Sequence, residues 1–420
     1  MKVAMPKGTA HGWGIAGTYL ANEIALLPPV EGVTLHCITG HDFSPFSSSE
    51  WGQINIGYCF FEHEILAYHY IPQAAERWDF IVAGSHWCEY HLRIGGMKNT
   101  TTILQGVDRN IFSPQTARAD DGRFIVFSGG KFEFRKGQDI VIAAMRRFME
   151  RHPDAWLACA WHNQWPNSIK TMEQSTLIEF GFKDVPPDVL YREILSRNGI
   201  DLARVIMYPP MDNNDMGRIY AGSDIGFFPN RCEGGNNMVM CEYMGCGRTV
   251  IASSRTGHAD VVTPENAFCL TTYKPVLSGD AASRTAVWFE ASAEEALSLL
   301  EQAYRQKEVR FSKARHAVGD MQRLSWQDTA RQFHAIAVRL SADVSASSQR
   351  SYTKARRDEA EALFADGDVE GTEEKIRLLL SQNPLDAELY HSLATILDRQ
   401  GRYLEAEAYY HKAATLNPHR

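Results

Sequence analysis

Two lysines and two glutamates carry the most legible chemistry in this chain of 420 residues. Lys131 and Lys136 fall in Ser128-Gly129-Gly130-Lys131-Phe132-Glu133-Phe134-Arg135-Lys136-Gly137, which ends one apolar run and opens an amphipathic one. Both are delivered to the carboxyl end of a strand, beside a helix N-terminus, and two cations there suit a diphosphate whose charge must be stabilised as it leaves. Further along, Asp224–Gly247 repeats the design: an apolar run, the Gly/Asn-rich loop Gly234-Gly235-Asn236-Asn237, and a helix start, flanked by Glu233 and Glu242. Carboxylates accept hydrogen bonds from hydroxyls, and the unpaired amides of a helix start donate to phosphate. Together these groups describe a pocket for a sugar joined to a nucleoside diphosphate.

A third motif, Gly12-Trp13-Gly14-Ile15-Ala16-Gly17, is a literal G-x-G-x-x-G between a strand and a helix. It departs from a dinucleotide site, because the loop from Pro6 to Gly12 is long and Glu31 precedes its strand rather than ending it. It reads instead as a Gly-rich loop that touches phosphate or substrate. His11, Trp13, His41, Asp42, Glu62 and His63 fall at strand ends or loops of the first domain, where acceptor contacts and ordinary loop residues are equally at home. Trp161, His162 and Trp165 follow a strand and could line the base or sugar pocket, although large aromatics more often pack.

The elements that must position these groups alternate. Lys2–Pro6, a helix from Ile15 to Leu27, Val33–Thr39, Ile54–Cys59, a helix near Glu64–Arg77 and Asp79–Ser85 form one series. After the polar joint Ser113–Arg123 a second begins: Phe124–Gly130, a helix over Gly137–Arg151, Trp156–His162, Val205–Pro209, Ile225–Pro229, a helix over Asn237–Gly247 and Thr249–Ser253. Such alternation predicts βαβ units and parallel sheets. The expected organisation is α/β, with two Rossmann-like domains over residues 1–118 and 119–340, the second ending in helices, then a linker over 341–351 and an all-α module over 352–420.

Composition narrows the function classes. With 43 Lys plus Arg against 51 Asp plus Glu, the net charge is −8, and no basic block is present to neutralise a nucleic-acid backbone. The 8 cysteines are scattered without a Cys-x-x-Cys pair, as reduced core thiols of a cytoplasmic protein would be. No apolar run is long enough to span a membrane. No metal site is visible either; lysines and a helix dipole can supply the charge stabilisation that a divalent cation gives elsewhere, so metal-independent activity is expected. No cofactor is expected beyond the nucleoside-diphosphate sugar as co-substrate.

On these motifs the sequence resembles the retaining glycosyltransferases of the GT-B fold, the group 1 or family-four class, over about residues 1–340. Lys131…Lys136-Gly137 looks like that family's Gly-Arg-x4-Lys-Gly, and Glu233…Glu242 like its Glu-x7-Glu. Gln105-Gly106-Val107-Asp108 with Phe112 resembles the segment that closes its first domain. Phe311–Leu340, with Ser325-Trp326, looks like its terminal helices, the last of which crosses back. The resemblance implies transfer of a hexose to an acceptor hydroxyl with retention, the leaving diphosphate itself taking the acceptor's proton. It implies that Lys131 and Lys136 bind the diphosphate, Glu233 the transferred sugar and Glu242 the ribose. Asn237, Met238 and Val239 would offer amides, and Gly14 would approach the diphosphate from the first domain. On the acceptor side the implied candidates are His11, Glu62 and His63. Lys131 stands where the family has Arg, losing a bidentate fork, and eight residues lie between the two glutamates instead of seven. A nucleotide-sugar-binding scaffold without turnover and a GT-B epimerase are the rival readings.

The tail differs in kind. Asn383-Pro384 and Asn417-Pro418 recur 34 residues apart, and Leu389, Tyr390, Leu393, Ala394, Gly401, Tyr403, Ala406, Tyr409, Ala413 and Ala414 fall where a tetratricopeptide helix pair places packing residues. One complete repeat follows a degenerate one, too few to bury a continuous core. The tail is therefore expected to dock on a protein partner, an acceptor (a protein or a glycan) or a second copy of the chain.

Overall fold

The computed structural model describes residues 1–9, 11–46, 51–114, 121–163, 166–278, 285–344, 369–382 and 387–416. In the first domain, β1 (Lys2–Ala4), β2 (Val33–Cys37), β3 (Ile54–Cys59), β4 (Phe80–Ala83) and β5 (Thr100–Thr102) pair in parallel and in sequence order. Strand periodicity sorts their side chains to two faces. Ile54, Ile56, Tyr58, Phe80 and Val82 pack with Leu20 and Ile24 of α1 (Gly12–Ala25). Cys59, Ile81 and Ala83 face α2 (Glu64–Arg77) and α3 (His86–Ile94) through Ile71, Ala74, Cys88 and Leu92. Both faces are covered, so these strands read as apolar runs.

The second domain holds β6 (Phe124–Gly130), α4 (Gln138–Arg151), β7 (Ala155–Trp161), α5 (Pro187–Arg197), β8 (Val205–Met207), α6 (Met216–Ala221), β9 (Ile225–Phe228), α7 (Met238–Gly245), β10 (Val250–Ser253) and β11 (Ala267–Leu270). Its parallel sheet has the order β11-β10-β9-β6-β7-β8. The chain moves outward from β6 to β8 and then returns to lay β9 on the other side of β6. That reversal opens a crevice beyond the carboxyl ends of β6 and β9, the place where open α/β sheets hold ligands. Among the described residues the first sheet shows no such reversal, its strands lying in sequence order. Among the described residues, the reversed strand order of a dinucleotide-binding fold is seen in the second sheet.

An antiparallel hairpin, β12 (Tyr273–Ser278) with β13 (Ala286–Ala291), was not legible in the sequence. It reaches the first domain: the amides of Ile65 and Leu66 donate to Thr285 O, and Val287 N donates to Glu64 Oε1 at 2.7 Å. Next come α8 (Ala293–Arg305), α9 (Lys307–Met321) and α10 (Trp326–Val344). The last crosses back to the first domain, where Trp326 stacks on Tyr19 with ring centroids 5.1 Å apart and Phe333 meets Tyr58. Because α10 runs to Val344, the expected linker begins later than Ser341; residues 345–351 lie outside the described part.

In the tail, α11 (Val369–Gln382), α12 (Ala387–Arg399) and α13 (Tyr403–Leu416) share a small core of Ile376, Leu379, Leu393, Ile396, Leu397 and Ala406. Gly401, at φ 76°, ends α12 while Arg402 N donates to Leu397 O, a glycine-terminated helix stop. The two Asn-Pro pairs that mark the repeat period, and most of the degenerate repeat, lie outside the described residues. No helix among the described residues is long and apolar enough to cross a membrane.

Candidate active site

The loop after β6 is fixed by its aromatics. Phe132 and Phe134 are buried, with their amides held by Asn163 Oδ1 and Thr171 Oγ1, so the flanking Lys131, Arg135 and Lys136 are left at the crevice. Gly137 then turns the chain into α4 at φ 75°, and a Cβ there would sit 2.4 Å from Pro229 O. Only glycine permits this approach, which brings Lys136 onto the end of β9.

Glu233 stands at the centre of the cluster that results. Lys136 Nζ donates to its Oε1 at 2.5 Å, Asn230 Nδ2 donates to the same oxygen, and Arg135 Nη1 lies 3.2 Å from Oε2. Burial alone would raise the Glu233 carboxyl, but Lys136 and Arg135 outweigh it and hold the group well below the usual carboxylate range. Arg135 also pairs with Glu133 at 2.7 Å and, across the domain boundary, with Glu62 at 3.3 Å. Lys131, more exposed, is 3.7 Å from Glu133.

The N-terminus of α7 supplies the second part. Asn237 caps it from φ 56°, a conformation that Asn tolerates, and its Oδ1 accepts from Met240 N at 3.4 Å. Its Nδ2 donates to Nε2 of buried His258, whose Nδ1–H donates to Ser253 O. Burial lowers the His258 pKa to about 4, so the ring stays neutral and keeps this geometry. Met238 and Val239, the first helical residues, line the crevice. One turn on, Glu242 is buried and accepts from Asn213 Nδ2 at 2.9 Å and Tyr220 OH at 3.2 Å; burial outweighs both bonds and pushes its pKa up to about 8.

These groups face the first domain across a cleft of ≈ 400 Å³. Its far wall is His11, Gly12, Trp13, Ile15, Phe60, Glu62 and Gln105. The side of the cleft beside Glu233 is sealed. Ser85 Oγ donates to Gly234 O, Gln105 and Asn236 exchange two hydrogen bonds, and a Cβ on Gly234 or Gly235 would strike Phe61 or Phe60.

Among the expected residues, Lys131, Lys136, Glu233, Asn237, Met238, Val239, Glu242, His11 and Glu62 all line this one cleft, as do Trp161 and His162. Gly14 does not: its amide donates to His11 Nδ1, which caps α1, and its carbonyl accepts from Thr18 Oγ1. Gly12 and Trp13 take its place at the wall. His63 bonds Thr285 and packs near Trp288 at the hairpin, His41 lies beside His63, and Asp42 holds a turn through Ser44; none of the three is a cleft-lining residue. Trp165 lies outside the described residues.

Sequence reasoning missed Arg135, which stands in the motif between Lys131 and Lys136 without a role assigned to it, and His258, a lone histidine far from any motif. It also missed Arg231. That side chain is wholly buried, pairs with Asp139 at 2.6 Å and with Glu290 at 2.5 Å, and lies over the Phe134 ring. It ties the loop carrying Glu233 to α4 and to β13. Among the described residues no cluster of His, Cys, Asp and Glu is arranged to hold a metal ion.

Residues 122–283 match the family model of Glycosyl transferases group 1, a span that contains Lys131, Lys136, Glu233 and Glu242. A comparison with curated protein sequences returns no match. Among solved structures, sucrose-phosphate synthase from Thermosynechococcus elongatus is similar over 78% of each chain, at 16% identity and TM-score 0.57. A trehalose-6-phosphate synthase is similar over 78% of this chain and 80% of its own, at 12% identity and TM-score 0.54. HepE from Anabaena, solved with UDP and glucose, covers 67% and 71%, at 16% identity and TM-score 0.50. The two α/β domains thus share the GT-B fold of these proteins, and residues 122–283 of the second are similar to the group 1 glycosyltransferase model.

Proposed function

We propose that this protein is a retaining glycosyltransferase that moves a hexose from a nucleoside-diphosphate sugar to an acceptor hydroxyl. One observation carries the reading: Glu233, Glu242, Lys131, Lys136 and the amide end of α7 converge on a single interdomain cleft at the sheet reversal. The diphosphate lies against Met238 N and Val239 N, with Lys131 and Lys136 beside it, so charge developing on the leaving group meets donors already in place. Glu242 receives the ribose hydroxyls. Glu233, kept ionised by its two cations, accepts from the hexose hydroxyls and fixes the anomeric carbon toward the first domain. The acceptor enters from that side, and the leaving diphosphate takes its proton on the same face. The likeness to a protein solved with UDP and glucose supports this donor class. The tail helices serve docking, to a partner, an acceptor or a second copy, in a cytoplasmic enzyme.

A thermal-shift panel of UDP, GDP, ADP and their sugar conjugates tests the donor, since a ligand at a hundred times its Kd adds ~2.7 kcal/mol. Stabilisation by none of them refutes the donor site. Proton NMR of the initial product tests the stereochemistry, and an inverted anomer refutes retention.

A further inference from the structure

The charge distribution across the cleft identifies the class of acceptor, an inference that rests on the glycosyltransferase reading. The acceptor wall presents two aromatic side chains, Trp13 and Phe60, with centroids 4.9 Å apart, and one charged group, the carboxylate of Glu62. Among the described residues lining the cleft, no Lys or Arg belongs to the first domain. The cation nearest this wall, Arg135, is committed: Nη1 donates to Cys232 O and lies 3.3 Å from Glu62 and 3.2 Å from Glu233, while Nη2 donates to Glu133. His11 uses Nδ1 to accept the Gly14 amide, so it has only Nε2 left to offer a ligand.

A phosphorylated or carboxylated acceptor placed here would set its charge against Glu62 with no cation of that wall to meet it, and like charges in a partly desolvated site disfavour the complex strongly. A neutral sugar has the opposite fit. Its C–H face lies on Trp13 and Phe60, and its hydroxyls donate to Glu62. We propose that the acceptor subsite takes an uncharged glycosyl unit and excludes sugar phosphates, with Glu62 both receiving the acceptor's hydroxyl and keeping Arg135 from binding an anion.

The test measures nucleoside-diphosphate release with the full-length enzyme at saturating donor. Neutral acceptors (methyl α- and β-glucosides, maltose, methyl N-acetylglucosaminide) are set against glucose 6-phosphate and fructose 6-phosphate. In the wild type kcat/KM should favour the best neutral sugar by more than about tenfold, and in Glu62→Gln that ratio should fall by about tenfold or more as the negative charge of the acceptor wall is removed. Trp288 Nε1 holds the backbone carbonyl of Glu62, so the loop does not depend on the altered side chain; Glu62→Ala serves as a second variant. A wild-type preference for a sugar phosphate, an unchanged ratio in both variants, or no release above donor hydrolysis with either class would overturn the inference. Release without acceptor separates the two levels: failure to bind or hydrolyse any donor refutes the glycosyltransferase reading and this inference with it, whereas hydrolysis with the wrong acceptor preference refutes only the latter.

Discussion

Replacing Lys136 with Met removes one cation from the cleft while keeping an apolar stem of similar length. Lys136 Nζ lies 2.5 Å from Glu233, and its side chain is 13% exposed, so the interaction is little screened. The buried carboxylate would not be orphaned, because Arg135 and Asn230 still hold it. The folding cost should therefore be ~1–2 kcal/mol, below the ~3–5 kcal/mol of an unpaired buried charge. Binding should suffer more specifically. Arg135 cannot substitute, since Glu62, Glu133 and Glu233 already occupy it. A lost charged hydrogen bond to the diphosphate costs ~1.5–3 kcal/mol, about ten- to a hundredfold in Kd. Titration calorimetry with the best-binding nucleoside diphosphate measures this, and a urea melt reports folding. A folded variant whose Kd stays within about twofold of wild type refutes the placement of the diphosphate.

Glu242 makes stability depend on pH. Its carboxyl ionises near 8 when folded and near 4.5 when unfolded, so its contribution is intact below the lower value and is lost as pH rises through that window, roughly 1.4 kcal/mol per pH unit. Glu242→Gln should flatten that slope in melts from acid to mild alkali, and an identical slope would contradict the burial argument. Glu233, shifted downward, acts oppositely: its stabilisation is present above the unfolded value and disappears as pH falls through acid. Glu242→Gln should weaken free nucleotide and nucleotide sugar alike, whereas Glu233→Gln should spare free nucleotide and depress transfer; equal loss of plain nucleoside diphosphate in both would reverse the assigned roles. Arg231→Met leaves Asp139 and Glu290 buried without their shared cation and should cost ~3–5 kcal/mol in urea unfolding, a loss under ~1 kcal/mol being incompatible with that arrangement. Truncation after Val344 keeps α10 whole and should leave donor hydrolysis intact while changing oligomeric state or transfer to the natural acceptor; an unchanged chain by light scattering and transfer assay rules out docking by the tail.

Much of this was legible because local pattern and tertiary role agree. Glu64–Arg77, Ile54–Cys59 and Phe124–Gly130 have the same bounds in sequence pattern and structure, since periodic apolar residues face a core on each side. Glu233 and Glu242 could be found because a Gly/Asn-rich loop before a helix marks them. The hairpin β12–β13 could not: Lys274 and Pro275 are exposed in succession and break its period, and its role is set by contacts with a loop more than two hundred residues earlier, such as His63 with Thr285. His258 and Arg231 were silent for a related reason. Each acts through a partner distant in sequence, Asn237 for one, Asp139 and Glu290 for the other. Gly14 misled because the G-x-G-x-x-G pattern cannot reveal that His11, three residues earlier, takes its amide as a helix cap.

A crystal structure with the nucleoside diphosphate that stabilises the protein most tests the central claim directly. The diphosphate should lie within hydrogen-bond distance of Met238 N, Val239 N and the ammonium groups of Lys131 and Lys136, with the ribose hydroxyls on Glu242 and the space beside Glu233 left for the sugar. A nucleotide bound away from the N-terminus of α7, or with its ribose on Glu233, would contradict it.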